Sequence, residues 1–384
     1  MNAVTPFVVV FRRECYRMTS RRIYLASTVI LPLLLLFFMC TIFGDGQMRH
    51  LPIGIVDADN TATSREIIRN IASVPTFFVS QHYTDDVSAR RAVQCKDIYG
   101  YLSIPKDFES LIMRGESAVL NYYYHYALLA VGGEVMSGFE QALIPVRMAP
   151  IMLEAEALGA TEGSMQTFLL PMTSDDHALY NPSLDYAVYL TLPIFYIMFQ
   201  ILVLLTTLYA LGIESKMGTA RDWLQSANYR TMVSVGGKLL PYTLFFVVEA
   251  LLANYVFFYW LRIPMAGSIG LFSLISVLFI IATQAVAVIL YSLFPVLSLV
   301  ISVVSMFGSL GATLSGLTFP LTSMYPIIQY VALLFPLRHF TEAMQRIIYY
   351  GGGFTSIVPM LLVLCLFPLA AILLLPRLKR ILLI

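Results

Sequence analysis

Ile23–Phe43 reads IYLASTVILPLLLLFFMCTIF, and this run decides the architecture. It carries no Asp, Glu, Lys or Arg. A helix that crosses a bilayer needs about 20 mostly apolar residues. Pro32 is a break of the kind that spanning helices tolerate. Five more segments come close to the same length: Tyr186–Leu211, Leu239–Leu261, Ile269–Leu293, Val296–Leu317 and Ile357–Leu375. A further apolar stretch, Phe319–Phe335, is broken by Pro320 and Pro326 and followed by Pro336. We expect it to enter the membrane and return as a re-entrant hairpin over 318–336, not to cross. The composition agrees, with 384 residues of which 58% are apolar and only 12% charged. Soluble globular chains carry about 25% charged residues. A free cytosolic enzyme, a nucleic-acid binder and a disordered scaffold are therefore excluded, and no nucleic-acid partner is expected.

Basic residues near the span ends set the expected orientation. Arg12, Arg13, Arg17, Arg21 and Arg22 precede the first span, opposed only by Glu14. Arg377, Lys379 and Arg380 follow the last, and Lys216, Arg221, Arg230 and Lys238 lie in the loop over 212–238. Six crossings put all three basic groups on one side, the cytoplasm. The expected organisation is a cytoplasmic segment 1–22, span 23–43, an extracytoplasmic region 44–185, and spans two to six over 186–384. The first span is too long for a signal peptide, and Gly44-Asp45-Gly46-Gln47 offers no small-residue cleavage site.

Residues 44–185 hold eighteen of the 23 acids and nine of the 24 bases. A long acidic loop translocates regardless of its charge. Pro52–Asp57, Phe77–Ser80, Ile98–Ile104 and Ala118–Tyr124 read as strands. Thr63–Ala72, Asp85–Gln94 and Lys106–Met113 read as helices between them. That alternation predicts a small α/β domain with a largely parallel sheet. Ala127–Leu170 reads as a long helical return, with breaks expected at Pro145 and Pro150.

Little here points to catalysis. Cys15, Cys40, Cys95 and Cys365 are scattered without a CxxC. His50, His82, His125 and His177 form no chelating pair. Asp57 and Asp59 precede a helix start, where capping and turn duty explain them better than acid–base chemistry. Tyr122-Tyr123-Tyr124 fits either a ligand groove or a half-buried strand. Gly236-Gly237-Lys238-Leu239 lacks the first glycine and the hydroxyl residue of a P-loop. Glu249 is the only acid in mid-span, fitting either a functional site or a bond within the bundle. Metal and catalytic residues are expected to be absent.

The loop Gly212–Leu224 carries mixed charge and Trp223, and Ala220–Ala227 has the spacing of a short amphipathic helix. That helix suits either a membrane surface or a docking partner. Here the chain resembles the membrane subunit of an ABC exporter, of the type-2 permease class with a large extracytoplasmic insert. Arg13-Glu14 before an amphipathic run resembles the family's interfacial connecting helix. Pro52–Asn60 with Ser64-Arg65, Gly100–Phe108 with Gly115-Glu116, and Tyr180-Asn181-Pro182 resemble the family's insert, in order. Glu214 with Gly218-Thr219 resembles its cytoplasmic element, and Gly237-Lys238 with Pro241 its entry to span three. Leu314-Ser315-Gly316 with Phe319-Pro320 resembles its re-entrant hairpin. The loop departs from the family's leucine-rich ending, reading Trp223-Leu224-Gln225-Ser226-Ala227-Asn228.

The resemblance implies a non-catalytic permease of six transmembrane helices plus the hairpin, an efflux protein of the bacterial inner membrane with both termini cytoplasmic. It would pair with a second copy or a paralogue. Separate ATPase subunits would bind ATP and Mg and dock through Glu214, Lys216, Gly218, Thr219, Arg221, Trp223, Arg13 and Glu14. Gln200, Thr206, Glu249, Gln284 and Ser315 are candidate path-lining residues, with interhelical hydrogen bonding as the competing role. Membrane lipid and a periplasmic adaptor are further expected partners. The competing functions are a proton-coupled carrier built on Glu249 and a membrane-anchored sensor or scaffold that uses the insert.

Overall fold

The computed structural model describes residues 4–42, 48–157, 179–181, 185 and 187–383. The chain divides into two compact units, Met1–Gly46 with Leu179–Ile384, and Gln47–Ala178. The first opens with α1 (Val4–Ser20) and α2 (Arg22–Ile42). The second runs β1 (Leu51–Asp57), α3 (Ala62–Ala72), β2 (Phe77–Tyr83), α4 (Asp86–Cys95) and β3 (Gly100–Ile104). It continues with α5 (Phe108–Met113), β4 (Asn121–Tyr124) and α6 (Leu129–Ala157). The first unit resumes with α7 (Val188–Lys216), α8 (Ala220–Ser226), α9 (Thr231–Trp260) and α10 (Ile269–Leu293). It ends with α11 (Leu297–Thr313), α12 (Pro326–Ala332), α13 (Pro336–Ile348) and α14 (Phe354–Leu383).

Five helices, α2, α7, α9, α10 and α14, are long and apolar enough to cross a membrane. The fifth expected crossing appears as α11, which is apolar but only 17 residues long. Backbone groups in hydrocarbon must be satisfied within the helix, so such runs have no alternative to helical form. Aromatic side chains fill the middle of this unit. Phe340 lies 4.5 Å from Tyr196 and 4.4 Å from Phe279, centroid to centroid. The Tyr196 hydroxyl donates to Asn254 at 2.6 Å and is 2.9 Å from the Ser276 hydroxyl, tying α7, α9 and α10 together. Interhelical bonds of this kind satisfy polar groups that have no water to turn to.

The stretch expected as a hairpin contains a 3₁₀ turn at Leu321–Ser323 and the short α12, with Tyr325 and Ile327 exposed. The following helix, α13, was not foreseen. It buries Leu337, Phe340, Met344 and Ile347 and carries an Arg338–Glu342–Arg346 ladder at 2.6 and 2.8 Å on its other side.

In the second unit the strand order is β2-β1-β3-β4. β1 pairs in parallel with β2 and β3, while β3 and β4 are antiparallel. Ile53, Ile55, Leu102 and Ile104 pack with Ile67 and Ile71 of α3 and Phe139 and Leu143 of α6. Val56 and Tyr101 pack with Ala89 and Ala92 of α4. The alternation of strand side chains thus feeds two cores. α3 starts in a capping box, with Thr61 Oγ1 accepting the Ser64 amide and Ser64 Oγ accepting the Thr61 amide. Asp57 Oδ2 accepts from Ser64, and Asp59 Oδ2 from Thr61, which puts both acids in turn and cap duty. Tyr122, Tyr123 and Tyr124 form most of β4, an edge strand. The breaks expected at Pro145 and Pro150 are not there, since α6 runs through both to Ala157. A proline removes one amide and crowds one turn, which this helix absorbs. The rest of the expected return, with Phe43, His177, Pro182 and Tyr186, lies outside the described residues.

Candidate functional site

The first unit concentrates its buried charge at one place. Val10, Glu14 and Met18 recur every four residues along α1 and are buried, flanked by the half-buried Arg13 and Arg17. Glu214 stands in the last turn of α7, Thr219 just before α8, and Trp223 within it. Lys238 and Tyr242, one turn apart on α9, face the same point. Glu14, Glu214 and Lys238 each have no solvent-exposed surface.

Lys238 Nζ bridges the two acids, donating to Glu14 Oε2 at 2.7 Å and Glu214 Oε1 at 2.8 Å. Tyr242 donates to Glu14 Oε1 at 2.7 Å. Glu214 also accepts from Arg13 at 3.1 Å, and from Arg17 and the Thr219 hydroxyl. Lys238 Nζ lies 5.0 Å from the centroid of the Trp223 ring, a cation–π contact. Two carboxylates and three cations thus join α1, the end of α7, the start of α8 and the start of α9. Charges removed from water are tolerated only when paired and hydrogen-bonded, which each acid here is.

Gly237 lets α1 approach α9. A Cβ there would lie 3.1 Å from Val10 Cβ and 3.2 Å from the Phe7 carbonyl. Gly237→Val is expected to push α1 away and to cost about 1–3 kcal/mol, the range for overpacked sites. The check is tryptic cleavage at Arg13 and Arg17 in folded protein, which should quicken. Gly218 adopts φ +68° and turns the chain from α7 into α8, a conformation that favours glycine.

The residues expected to dock ATPase subunits therefore separate into two sets. Glu14, Glu214 and Trp223 are buried inside this junction, Arg13 and Thr219 are half-buried in it, and none of the five is an open contact surface. Lys216, Gly218 and Arg221 are exposed, together with Met217, Asp222 and Gln225, which the sequence did not single out. Arg221 also donates to the Leu383 carbonyl at 3.1 Å, and Lys379 lies 6.0 Å from the Tyr229 ring. These contacts bring the end of α14 to the same end of the unit as α1 and α8. Lys238 and Tyr242 were missed as site residues. Their signal was a lysine set inside an apolar helix, one turn before a tyrosine.

The candidate path-lining residues do not form one cluster of contacts. Gln284 accepts from Thr243 at 2.7 Å, bridging α10 and α9. Ser315 donates to the Ala312 carbonyl at 2.7 Å, within its own chain turn. Thr206 is buried. Gln200 and Glu249 are buried with no hydrogen-bond partner for either side-chain polar atom among the described residues. In the hairpin segment Gly316 has a positive φ, Thr341 donates to the Ser315 carbonyl at 2.8 Å, and Phe319 is exposed just before Pro320. Among the described residues no group of three or more His, Cys, Asp or Glu is placed to hold a metal ion.

A comparison with curated proteins finds no match. Residues 22–375 match the family described as ABC-2 family transporter protein. That match takes in the spanning helices, the second unit and all of the ionic junction beyond α1. The chain is a multi-pass membrane protein that belongs to the ABC-2 family of ABC transporter permeases.

Proposed function

We propose that the chain is the permease subunit of an ATP-driven exporter, worked by ATPase subunits that dock on the exposed face from Lys216 to Asp222. The buried ionic junction is the observation that carries this reading. A force on α8 reaches α1, α7 and α9 together, because separating the buried charges would leave some of them unpaired. Such a block moves as a rigid body, and rigid-body motion between two states is how bound partners transmit work. Catalysis of ATP hydrolysis, with its Mg, belongs to the partner subunits. A second copy or paralogue would complete the path.

Six crossings fit the junction. With α1, the α7–α9 turn and the end of α14 at one end, an even number of crossings is needed, and α11 supplies the sixth. Arg13, Arg17 and Lys238 are used in internal pairs, yet Arg12, Arg22, Lys216 and Arg230 remain exposed there. That excess of free basic charge supports a cytoplasmic location for this end. The insert then faces outward, open to an adaptor, in a bacterial inner membrane. Lipid surrounds the spans, and the hairpin over 318–336 sits at the outer side.

The test is co-purification from the protein's own cells in mild detergent, with ATPase activity assayed on the recovered material. Lys216→Glu with Asp222→Arg alters only exposed side chains. The expected result is an ATPase with the unaltered chain and at least a tenfold loss with the variant. Absence of any ATPase from the unaltered chain would overturn the proposal. A second reading, the proton-coupled carrier, rests on the partnerless carboxyl of Glu249. It requires a proton-driven flux that persists without ATPase and disappears in Glu249→Gln.

A further inference from the structure

The last turns of α14 take no part in the ionic junction, yet they stand against α8. α14 has 30 residues. At a rise of about 1.5 Å per residue it is about 45 Å long, whereas a hydrocarbon core about 30 Å thick takes about 20 residues. Its apolar run stops at Leu375, and Arg377, Lys379 and Arg380 follow Pro376. The helix therefore overhangs the span at this end.

The overhang is firmly packed. Leu378 and Leu382 are buried in one apolar cluster with Trp223, Leu224 and Ala227. The Arg221–Leu383 hydrogen bond and the contact of Lys379 with Tyr229 close the same seam. With both leucines turned inward, Arg377 and Arg380 are exposed, and neither guanidinium has a partner among the described residues. Over 212–238 and 376–383 Asp222 is the only exposed acid, against exposed Lys216, Arg221, Arg230, Arg377 and Arg380. One basic surface thus runs from α8 onto α14.

We propose that the overhang Arg377–Leu383 is a second part of the ATPase-docking face, with Arg377 and Arg380 set on an acidic patch of the ATPase subunit, a reading that rests on docking at α8. A guanidinium offers a fork of donors that suits carboxylates, and arginine is enriched at protein interfaces. Anionic lipid head groups also attract basic residues beside a span. The packing favours the protein, because it holds these two arginines next to the side chains that a docked subunit would cover. A subunit seated on both helices would move α8 and the end of α14 as one piece, since Leu378 and Leu382 share a core with Trp223.

The experiment uses the full chain in its own cells, with a photoreactive amino acid at Asp222 in one strain and at Arg380 in another. An adduct to an ATP-binding protein is expected from both positions. In parallel, Arg377→Glu with Arg380→Glu should lower the co-purifying ATPase at least fivefold at low salt, and Arg377→Lys with Arg380→Lys should keep most of it. The gap between the glutamate variant and the unaltered chain should narrow as salt screens the charges. All of these side chains are exposed, and thermal unfolding of each purified variant checks that the fold is kept. An ATPase adduct from Asp222 with none, or only lipid, from Arg380 would overturn this inference and leave docking at α8 standing. No ATPase adduct from either position would overturn both. Unchanged co-purification in the glutamate variant would overturn the acidic patch.

Discussion

Replacing Glu214 by alanine should destabilise the helical unit by about 3–5 kcal/mol, the cost of breaking a buried ion pair by removing one partner. Arg13, Arg17 and Lys238 all donate to this one carboxylate, and Lys238 has no exposed surface. Without Glu214, Arg13 and Arg17 lose their carboxylate and Lys238 keeps only Glu14. The desolvation that the pair tolerated then falls on unpaired charge. Thermal unfolding in detergent should shift down by many degrees, and α1 should become open to protease. Glu214→Gln keeps the shape and loses the charge, so it should fall between the two. Equal stability of Glu214→Ala and the unaltered chain would mean that the junction does not hold these helices.

Lys238→Met should be comparably costly, at about 3–5 kcal/mol, for the complementary reason. Glu14 would keep only the Tyr242 hydroxyl, and it would face Glu214 across the space that Lys238 Nζ occupied. The double change Glu14→Leu with Lys238→Met removes one carboxylate with the cation. Buried ion pairs replaced by apolar residues are often neutral in stability. The double variant should therefore recover most of the loss of Lys238→Met, a coupling that a double-mutant cycle measures directly. Additive losses would show that Glu14 and Lys238 do not act as a pair. Stability and function part company here: a recovered fold with loose coupling to α8 should still lose transport, because α1 would no longer be charge-locked to α9.

Much of the architecture was legible because its signals are local. A run such as Ile23–Phe43 declares a span by composition alone, and β1, α3, β2 and α4 declare themselves by period. Boundaries moved by one to a few residues, as with Asn121–Tyr124 against an expected start at Ala118. α13 escaped notice because Pro336 follows an apolar stretch broken by prolines, while Arg338, Glu342 and Arg346 dilute its apolar face. Pro145 and Pro150 misled in the other direction: the helix continues through both, and Leu143 and Val146 pack against the sheet on either side of Pro145. α11 was legible as an apolar run and fell short in helical length, since the turn at Leu314–Gly316 claims its last residues.

The ionic junction was only half legible. Arg13, Glu14, Glu214, Thr219 and Trp223 were each marked by family resemblance as contact residues. That they face inward and meet one another depends on pairs such as Glu14 and Lys238, which no local pattern connects. The exposed set, Lys216, Met217, Arg221 and Asp222, follows from the same fact: once the buried face of α8 is fixed by Trp223 and Leu224, the opposite face is what remains for a partner.

The most direct measurement is photo-crosslinking in the protein's own cells from a photoreactive amino acid placed at Asp222, with a matched probe at Leu373 on the exposed side of α14. The expected result is one adduct from Asp222 that binds ATP, carries a nucleotide-binding cassette sequence, and is absent from Leu373. An adduct from Asp222 only to another copy of this chain, or no adduct at all, would contradict a coupling face on α8.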